Sequence, residues 1–391
     1  MKKVLSLILL ATICTVVISA KPPKPPKGFR WVINTQFSDE FNGSSLDDSK
    51  WLNHYNGGWQ GRAPAWFNPE AVSVSDGNMK IKSGVLDKPK GNGKYTMYGG
   101  AVSSTTKDAH FGYYECKAKA SKIAMSTTFW MSNDKVPFTE NDDCDNDSYS
   151  QELDIQEAVG GSTTHKKFIT SMNCNTHYRY VKCGERKETF ISKGTGHKLR
   201  SEVSDEYHIY GAWWIDAKEV MFFANDAVFD TVQFRTDISK EPFDRPMQIN
   251  MVTETYDWQP APSAEDLENP EINTAYYDWI RSYKLVPINK VVKEKYEVDV
   301  FTNSIEISTS TKKGYQLADL VYAANEDCQV TLYFMDKDGE VIKETKVLAL
   351  EGLGHQSTSI KLKKIKGATK VKAQLTSTQS SNIDLSIEKA I

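Results

Sequence analysis

Residues Glu152-Leu153-Asp154-Ile155-Gln156-Glu157 open with two acids alternating with two apolar side chains. That period-two pattern marks a β-strand with one face in a core. Glu152 and Asp154 share a face. Glu157, five positions beyond Glu152, falls on the opposite face of a regular strand. One extra residue, a β-bulge near Ile155 or Gln156, returns it to the face of the other two. The two glutamates are then spaced like residues four apart, roughly 13 Å between Cα atoms. With each side chain reaching about 4 Å toward the other, roughly 5 Å separates their carboxyl groups, a separation that suits a retaining glycosidase. Three acids so close cannot all ionise cheaply, so at least one pKa rises and that group becomes the proton donor. Composition alone fits an edge strand displaying acids to solvent equally well.

Outward from this strand, short alternating runs recur between Gly, Asn, Asp and Pro punctuation. Ala71-Val72-Ser73-Val74, Tyr113-Tyr114-Glu115-Cys116-Lys117-Ala118 and Val220-Met221-Phe222-Phe223 are examples. They predict an all-β sandwich over residues 29–287, with a short helical connector near 264–267. All nine tryptophans lie before residue 288. Beyond it the chain turns to Lys, Thr, Ser and Val but still alternates. Asp336-Lys337-Asp338-Gly339 between two such runs predicts a hairpin. Residues 288–391 are therefore expected to form a smaller C-terminal β-sandwich, either carbohydrate-binding or a structural spacer. Ahead of the first domain, Lys21-Pro22-Pro23-Lys24-Pro25-Pro26-Lys27-Gly28 reads as an extended linker over 21–28.

Residues 1–20 read as a signal peptide: Lys2 and Lys3, an apolar stretch over 4–18, and Ile18-Ser19-Ala20 as a cleavage site. That stretch is short for a membrane span of about 20 residues. A secreted or periplasmic protein is expected, without a membrane span. The net charge of −3 and the lack of a basic stripe give nucleic-acid binding no electrostatic support. Five cysteines follow the leader, so at least one is unpaired within the chain. Cys116 alternates with core positions and reads as a buried thiol. Cys174 and Cys183 are near enough in sequence to pair, with Cys144 a third candidate.

The acidic stretch, in its surroundings, resembles glycoside hydrolase family 16, in the bulged branch with the pattern E-x-D-x-x-E. Ser38-Asp39-Glu40-Phe41-Asn42-Gly43 with Leu46 and Lys50-Trp51 is similar to the family's opening strand. Phe111-Gly112-Tyr113-Tyr114-Glu115 resembles the strand preceding the catalytic one, and Tyr277-Asp278-Trp279-Ile280-Arg281-Ser282-Tyr283 its closing strand. The resemblance implies a jelly-roll β-sandwich with a concave substrate cleft. It also implies Glu152 as nucleophile, Glu157 as general acid/base and Asp154 as the electrostatic helper between them. No cofactor is implied for catalysis. The family often carries a structural calcium on its convex face, and Asp278 matches a ligand position of that site.

Within the family, the sequence resembles the β-porphyranases and β-agarases, which act on red-algal galactans. Trp59-Gln60-Gly61-Arg62-Ala63-Pro64-Ala65-Trp66-Phe67 is similar to a cleft segment of those enzymes. A Trp59 face stacks on the apolar face of a galactose ring, and Arg62 suits a hydroxyl or a sulfate. Trp130 resembles the floor of the subsite beside the acids, His177 a histidine next to them, and Glu254 with Trp258 a substrate-binding strand. The expected function is endo-hydrolysis of β-1,4 linkages in porphyran or agarose by a monomer. Alternatives are a carrageenan or furcellaran hydrolase, a β-1,3-glucanase, or a carbohydrate-binding protein that has lost catalysis. Residues 132–151 form an insert, longer than in the simplest relatives, that carries an acidic run at 141–147. It is expected to wall the cleft.

Overall fold

The computed structural model describes residues 22–26, 29–137, 148–287, 295–299, 304–312, 314–324, 328–350, 354–378 and 383–391. The leader over 1–20 and the acidic run at 141–147 lie outside them. Two nine-stranded sheets form the first sandwich among the described residues. One runs in the order Glu188–Lys198, Ser171–Val181, Ser148–Ala158, Thr127–Ser132, Gln248–Thr253, Tyr95–Ser104 and Trp51–Leu52, with Ala65–Phe67 and Gly84–Lys90 also paired to Tyr95–Ser104. The other follows Ala227–Gln233, Glu219–Ala224, His208–Trp214, Gly112–Lys119, Thr274–Pro287, Phe29–Asn34 and Glu297–Asp299, with Asn78–Lys82 also paired to Thr274–Pro287 and Val72–Ser75 to Asn78–Lys82. Strands far apart in sequence pair antiparallel, as Gly112–Lys119 does with Thr274–Pro287. This is the expected jelly roll. The strand Glu297–Asp299 hydrogen-bonds to Phe29–Asn34, so the first sandwich takes in residues beyond 287.

Alternation builds the core. Leu153 and Ile155 pack with Phe129, Met131, Ile249 and Met251 of their own sheet, against Tyr114, Cys116, Tyr210, Trp214 and Tyr277 of the other. The intervening Thr128 and Trp130 consequently face the cleft. Leu153 is fully buried, and truncating such a side chain to alanine costs about 2–5 kcal/mol. The helical connector is Ala264–Glu268, started by a capping box in which Ser263 and Asp266 satisfy each other's backbone N–H.

A separate core, including Leu320, Tyr322, Val330, Leu332, Val371 and Leu375, holds the C-terminal sandwich together. Its sheets are Ser304–Lys312, Tyr315–Ala324 and Gly354–Lys363, and Val341–Leu350, Cys328–Met335, Lys370–Ser377 and Asp384–Ala390. The expected hairpin joins Cys328–Met335 to Val341–Leu350, with Gly339 at φ 90° and the Asp336 carboxylate accepting from the Asp338 and Glu340 N–H groups.

Cys116 is a buried free thiol as expected. The Cys174–Cys183 pairing is not made: Cys174 is free and buried, its thiol donating to the Ile155 carbonyl at 3.1 Å, and Cys183 is disulfide-bonded. The strand Ser171–Val181 is fully extended, which carries the chain about 23 Å beyond Cys174 before it turns. A disulfide closes only between Cα atoms within about 7 Å. Cys144, the remaining candidate, lies outside the described residues.

Candidate active site

The strand Ser148–Ala158 is bulged where the acid spacing requires it. Asp154 pairs with Trp130, Gln156 with Phe129 and Glu157 with Thr128, leaving Ile155 without a partner on that side. Ile155 lies in the core. Gln156 is buried too, its Oε1 accepting from the Asn173 N–H at 2.9 Å. Two consecutive residues thus turn inward, and Glu157 rejoins Glu152 and Asp154 on the outer face. All three line a cleft of about 650 Å³.

Neighbouring strands supply charged and hydrogen-bonding partners. Arg179 Nη1 donates to Glu152 Oε2 at 2.7 Å, and its Nε lies 3.8 Å from Glu188 Oε1. His177 is the register partner of Glu152, but its Nε2 reaches diagonally to Asp154 Oδ2 at 2.9 Å. The Tyr256 hydroxyl donates to Glu157 Oε1 at 3.0 Å. Burial, reinforced by the charge of Asp154, pushes the Glu157 carboxyl up to about 8, against the Tyr256 hydrogen bond. Burial and the charge of Glu152 also raise Asp154, to about 6, although His177 opposes this. Burial on its own lowers the His177 imidazole. The Asp154 hydrogen bond and the surrounding carboxylates outweigh it and raise the ring above its ordinary value. Glu152, Asp154 and His177 also offer three ligand atoms within 4.8 Å of one another, a set with metal-ligating character. Arg179 already takes one Glu152 oxygen by a hydrogen bond, and the His177 ring lies against Asp154.

Aromatic rings form the floor. Tyr55 stacks on Trp130 at 6.0 Å between centroids, and Trp59 meets both edge-on. Gly61, at φ 100°, makes the turn that follows Trp59. A Cβ there would lie 2.7 Å from the Ala65 carbonyl oxygen, so the position is restricted to glycine. Beyond the turn, the Arg62 guanidinium sits over the Tyr256 ring, with Nη1 3.9 Å from Glu254 Oε1 and Nε 3.9 Å from Asp257 Oδ2. Burial raises the Glu254 carboxyl to about 8 despite Arg62.

A raised carboxyl pKa binds protons more tightly in the folded than in the unfolded state. Its stabilising contribution is full below the unfolded value and is lost as pH rises through the folded one. Glu254→Gln should therefore melt several degrees higher than the parent at pH 9 and at nearly the parent temperature at pH 4. Thermal denaturation at the two pH values measures this. Equal shifts at both would mean that the Glu254 charge does not burden the fold.

Seven of the expected site residues line the cleft: Glu152, Asp154, Glu157, Trp59, Arg62, Trp130 and Glu254. His177 joins them through Asp154. Trp258 and Asp278 do not. The strand carrying Glu254's neighbours ends at Thr253, so period-two facing does not extend to Trp258. Its ring stacks on Tyr256 at 4.9 Å and on Phe168 at 4.7 Å, contacts that brace Tyr256. Asp278, expected at a calcium site, is ion-paired with Lys117 at 2.5 Å, and among the described residues it belongs to no group of three His, Cys, Asp or Glu side chains. Sequence reasoning missed Tyr55, Arg179, Glu188 and Tyr256. Arg179 had a signal, lying two positions beyond His177 on one strand; Tyr256, past the strand end at Thr253, had none. Tyr55 had none either.

A bulged strand placing two glutamates and an aspartate on one face of an aromatic-floored cleft in a jelly roll defines a glycoside hydrolase. Residues 31–285 match the family model "Beta-porphyranase A-D, GH16 domain", and residues 300–386 match the model "Porphyranase-associated domain". The chain belongs to glycoside hydrolase family 16. It is 42% identical to β-porphyranase E of Zobellia galactanivorans over 68% of this chain and 92% of that protein. It is 37% identical to β-porphyranase D of the same bacterium over 87% of this chain and 83% of that one. The crystal structure of a β-porphyranase from the human gut bacterium Bacteroides plebeius superposes with a TM-score of 0.63 at 38% identity, covering 68% of this chain and 95% of that one. No helix among the described residues is long and apolar enough to cross a membrane.

Proposed function

We propose that this protein is a secreted, endo-acting, retaining hydrolase of β-1,4 linkages in agar-type red-algal galactans, with porphyran preferred over agarose. The observation that carries the reading is the pairing of two glutamates on one cleft face: Glu152 beside a guanidinium, Glu157 buried and held in its acid form. Glu152 attacks the anomeric carbon while Glu157 gives its proton to the departing glycosidic oxygen. The glycosyl ester on Glu152 is then hydrolysed by a water that Glu157 deprotonates, releasing the β-anomer. The charge of Glu152 is one of the causes raising Glu157. Ester formation removes that charge and lowers the proton affinity of Glu157 as it becomes the base. Asp154, fixed by His177, supplies the charge between them. The names of the relatives support the substrate class. The leader sequence and the disulfide at Cys183 support export to an oxidising compartment.

Reducing-sugar release from porphyran, agarose, κ-carrageenan and laminarin tests the proposal. Release from porphyran above the others is expected, and none from either agar-type polymer would refute it. The lean to porphyran rests on Arg62. Its neighbour Glu254 is held toward the neutral acid by burial, and its other carboxylate neighbour, Asp257, is solvent-exposed and so a weak competitor for the guanidinium against a sulfate. Arg62→Gln should lower kcat/KM on porphyran by about 10-fold or more, the scale of a lost charged hydrogen bond, and affect agarose much less. Parallel kinetics on both polymers check this, and equal losses would mean that Arg62 does not read sulfate.

A further inference from the structure

A second concavity of about 420 Å³ adjoins the cleft. That volume falls within the range of small-ligand sites, roughly 300–1,000 Å³. The two share Tyr55, Gly57 and Trp59 in their linings, so Trp59 stands between them as a common wall. The character of the lining changes across it. The cleft carries Asp134, Glu152, Asp154, Glu157, Glu188 and Glu254. The outer concavity is lined by no carboxylate, and its ionisable side chains are His54, Tyr55 and Lys90.

Trp66 lies half-buried on the short strand Ala65–Phe67, edge-on to Tyr95 at 5.0 Å, with Lys90 Nζ held 4.9 Å from its ring centroid. Lys90 ends the strand Gly84–Lys90 and pairs with Tyr95 across a tight turn, in which Gly91, Asn92 and Gly93 all have positive φ. The hairpin thereby sets an exposed ammonium over one face of the indole ring, and a sugar would stack on the other. An indole stacks on the C–H face of a pyranose, and an ammonium is a point charge for an anionic substituent.

We propose that this concavity is an outer subsite for a sulfated sugar of the same polysaccharide chain that occupies the cleft, with Trp66 as the stacking platform and Lys90 as the sulfate-recognising cation. The chain passes over the Trp59 wall. Acids outnumber the cations Arg62, Lys135 and Arg179 in the cleft, and an anionic substituent further along the chain than the one assigned to Arg62 is met beyond them. This rests on the proposed galactan reading and deepens it.

The test compares the parent with Trp66→Ala and Lys90→Gln on polymeric porphyran, on agarose, and on agar-type oligosaccharides too short to pass Trp59. Lys90→Gln, an exposed change that leaves the fold alone, should raise KM on porphyran about 3–10-fold with kcat unchanged and leave agarose untouched. Trp66→Ala should raise KM on both polymers. Neither should alter hydrolysis of the short substrates. Unchanged KM for both variants on porphyran, or equal effects on short and long substrates, would overturn the subsite. A binding arm is independent of turnover: affinity electrophoresis of Glu152→Gln protein in porphyran gels, with and without the Trp66 and Lys90 changes. If the parent cleaves neither polymer, the galactan reading fails. Porphyran-dependent retardation that the two changes abolish would still support the subsite, and no such retardation would overturn it.

Discussion

Glutamine at position 152 should reduce kcat by about four orders of magnitude or more, the scale seen when a nucleophile is removed from an enzyme that acts through a covalent intermediate. Binding should survive. Glu152 is held by Arg179 at 2.7 Å, and Arg179 keeps a second anionic neighbour in Glu188 at 3.8 Å. A glutamine carbonyl can still accept from the guanidinium, so neither the strand nor the cleft loses its anchor. The measurement is turnover on porphyran beside oligosaccharide affinity by calorimetry. Glu152→Gln protein that retains more than a few per cent of parental turnover would exclude Glu152 as nucleophile. Proton NMR of the first product from the parent enzyme gives the stereochemical counterpart. The β-anomer is expected, and initial α-anomer would rule out the double displacement.

The second large effect belongs to Glu157. Its carboxyl, raised to about 8 by burial and by Asp154, should set the alkaline limb of kcat/KM, since only the protonated form can donate. Activity should fall as pH rises through that value. Glu157→Gln removes the donor and should cost about 10²–10⁴-fold on the polysaccharide, the usual contribution of general acid–base catalysis. An aryl glycoside with a good leaving group needs little protonation, so the loss on it in the glycosylation step should be far smaller. The alkaline limb should also vanish from the residual activity. A variant that lost both substrates equally, with its pH profile unchanged, would point to a positioning role instead. The same raised pKa has a sign for stability: the contribution is present below the unfolded carboxylate range and lost as pH rises through about 8. Glu157→Gln should therefore be far less active on the polysaccharide yet more heat-stable at alkaline pH.

The acids were readable because a strand has an exact period of two. Counting faces over 152–157 requires one extra residue, and the structure places it at Ile155. Arg62, Trp59 and Trp130 were readable through motifs whose local order carries their place in the cleft lining. Arg179 follows His177 at the same period on Ser171–Val181 and could have been found by the same counting. Trp258, taken from the resemblance, lies past the end of regular strand at Thr253, where turn geometry aims each side chain separately. Period two also says nothing about Asp278, where alternation assigns a face but not the neighbour, Lys117, that occupies it.

Composition and alternation were enough for two β-sandwiches, and face counting with the E-x-D-x-x-E resemblance for the bulge and three acids on one face. These depend on which residues tolerate water and on a backbone repeat that is local. The protonation order of those acids depends instead on burial and on partners from distant segments. Tyr256 reaches Glu157 from 99 positions away, and Arg179 reaches Glu152 from 27. Tyr55 reaches Trp130 across more than seventy positions. Packing of the sheet brings these groups together, and electrostatic energy depends on distance through space rather than along the chain.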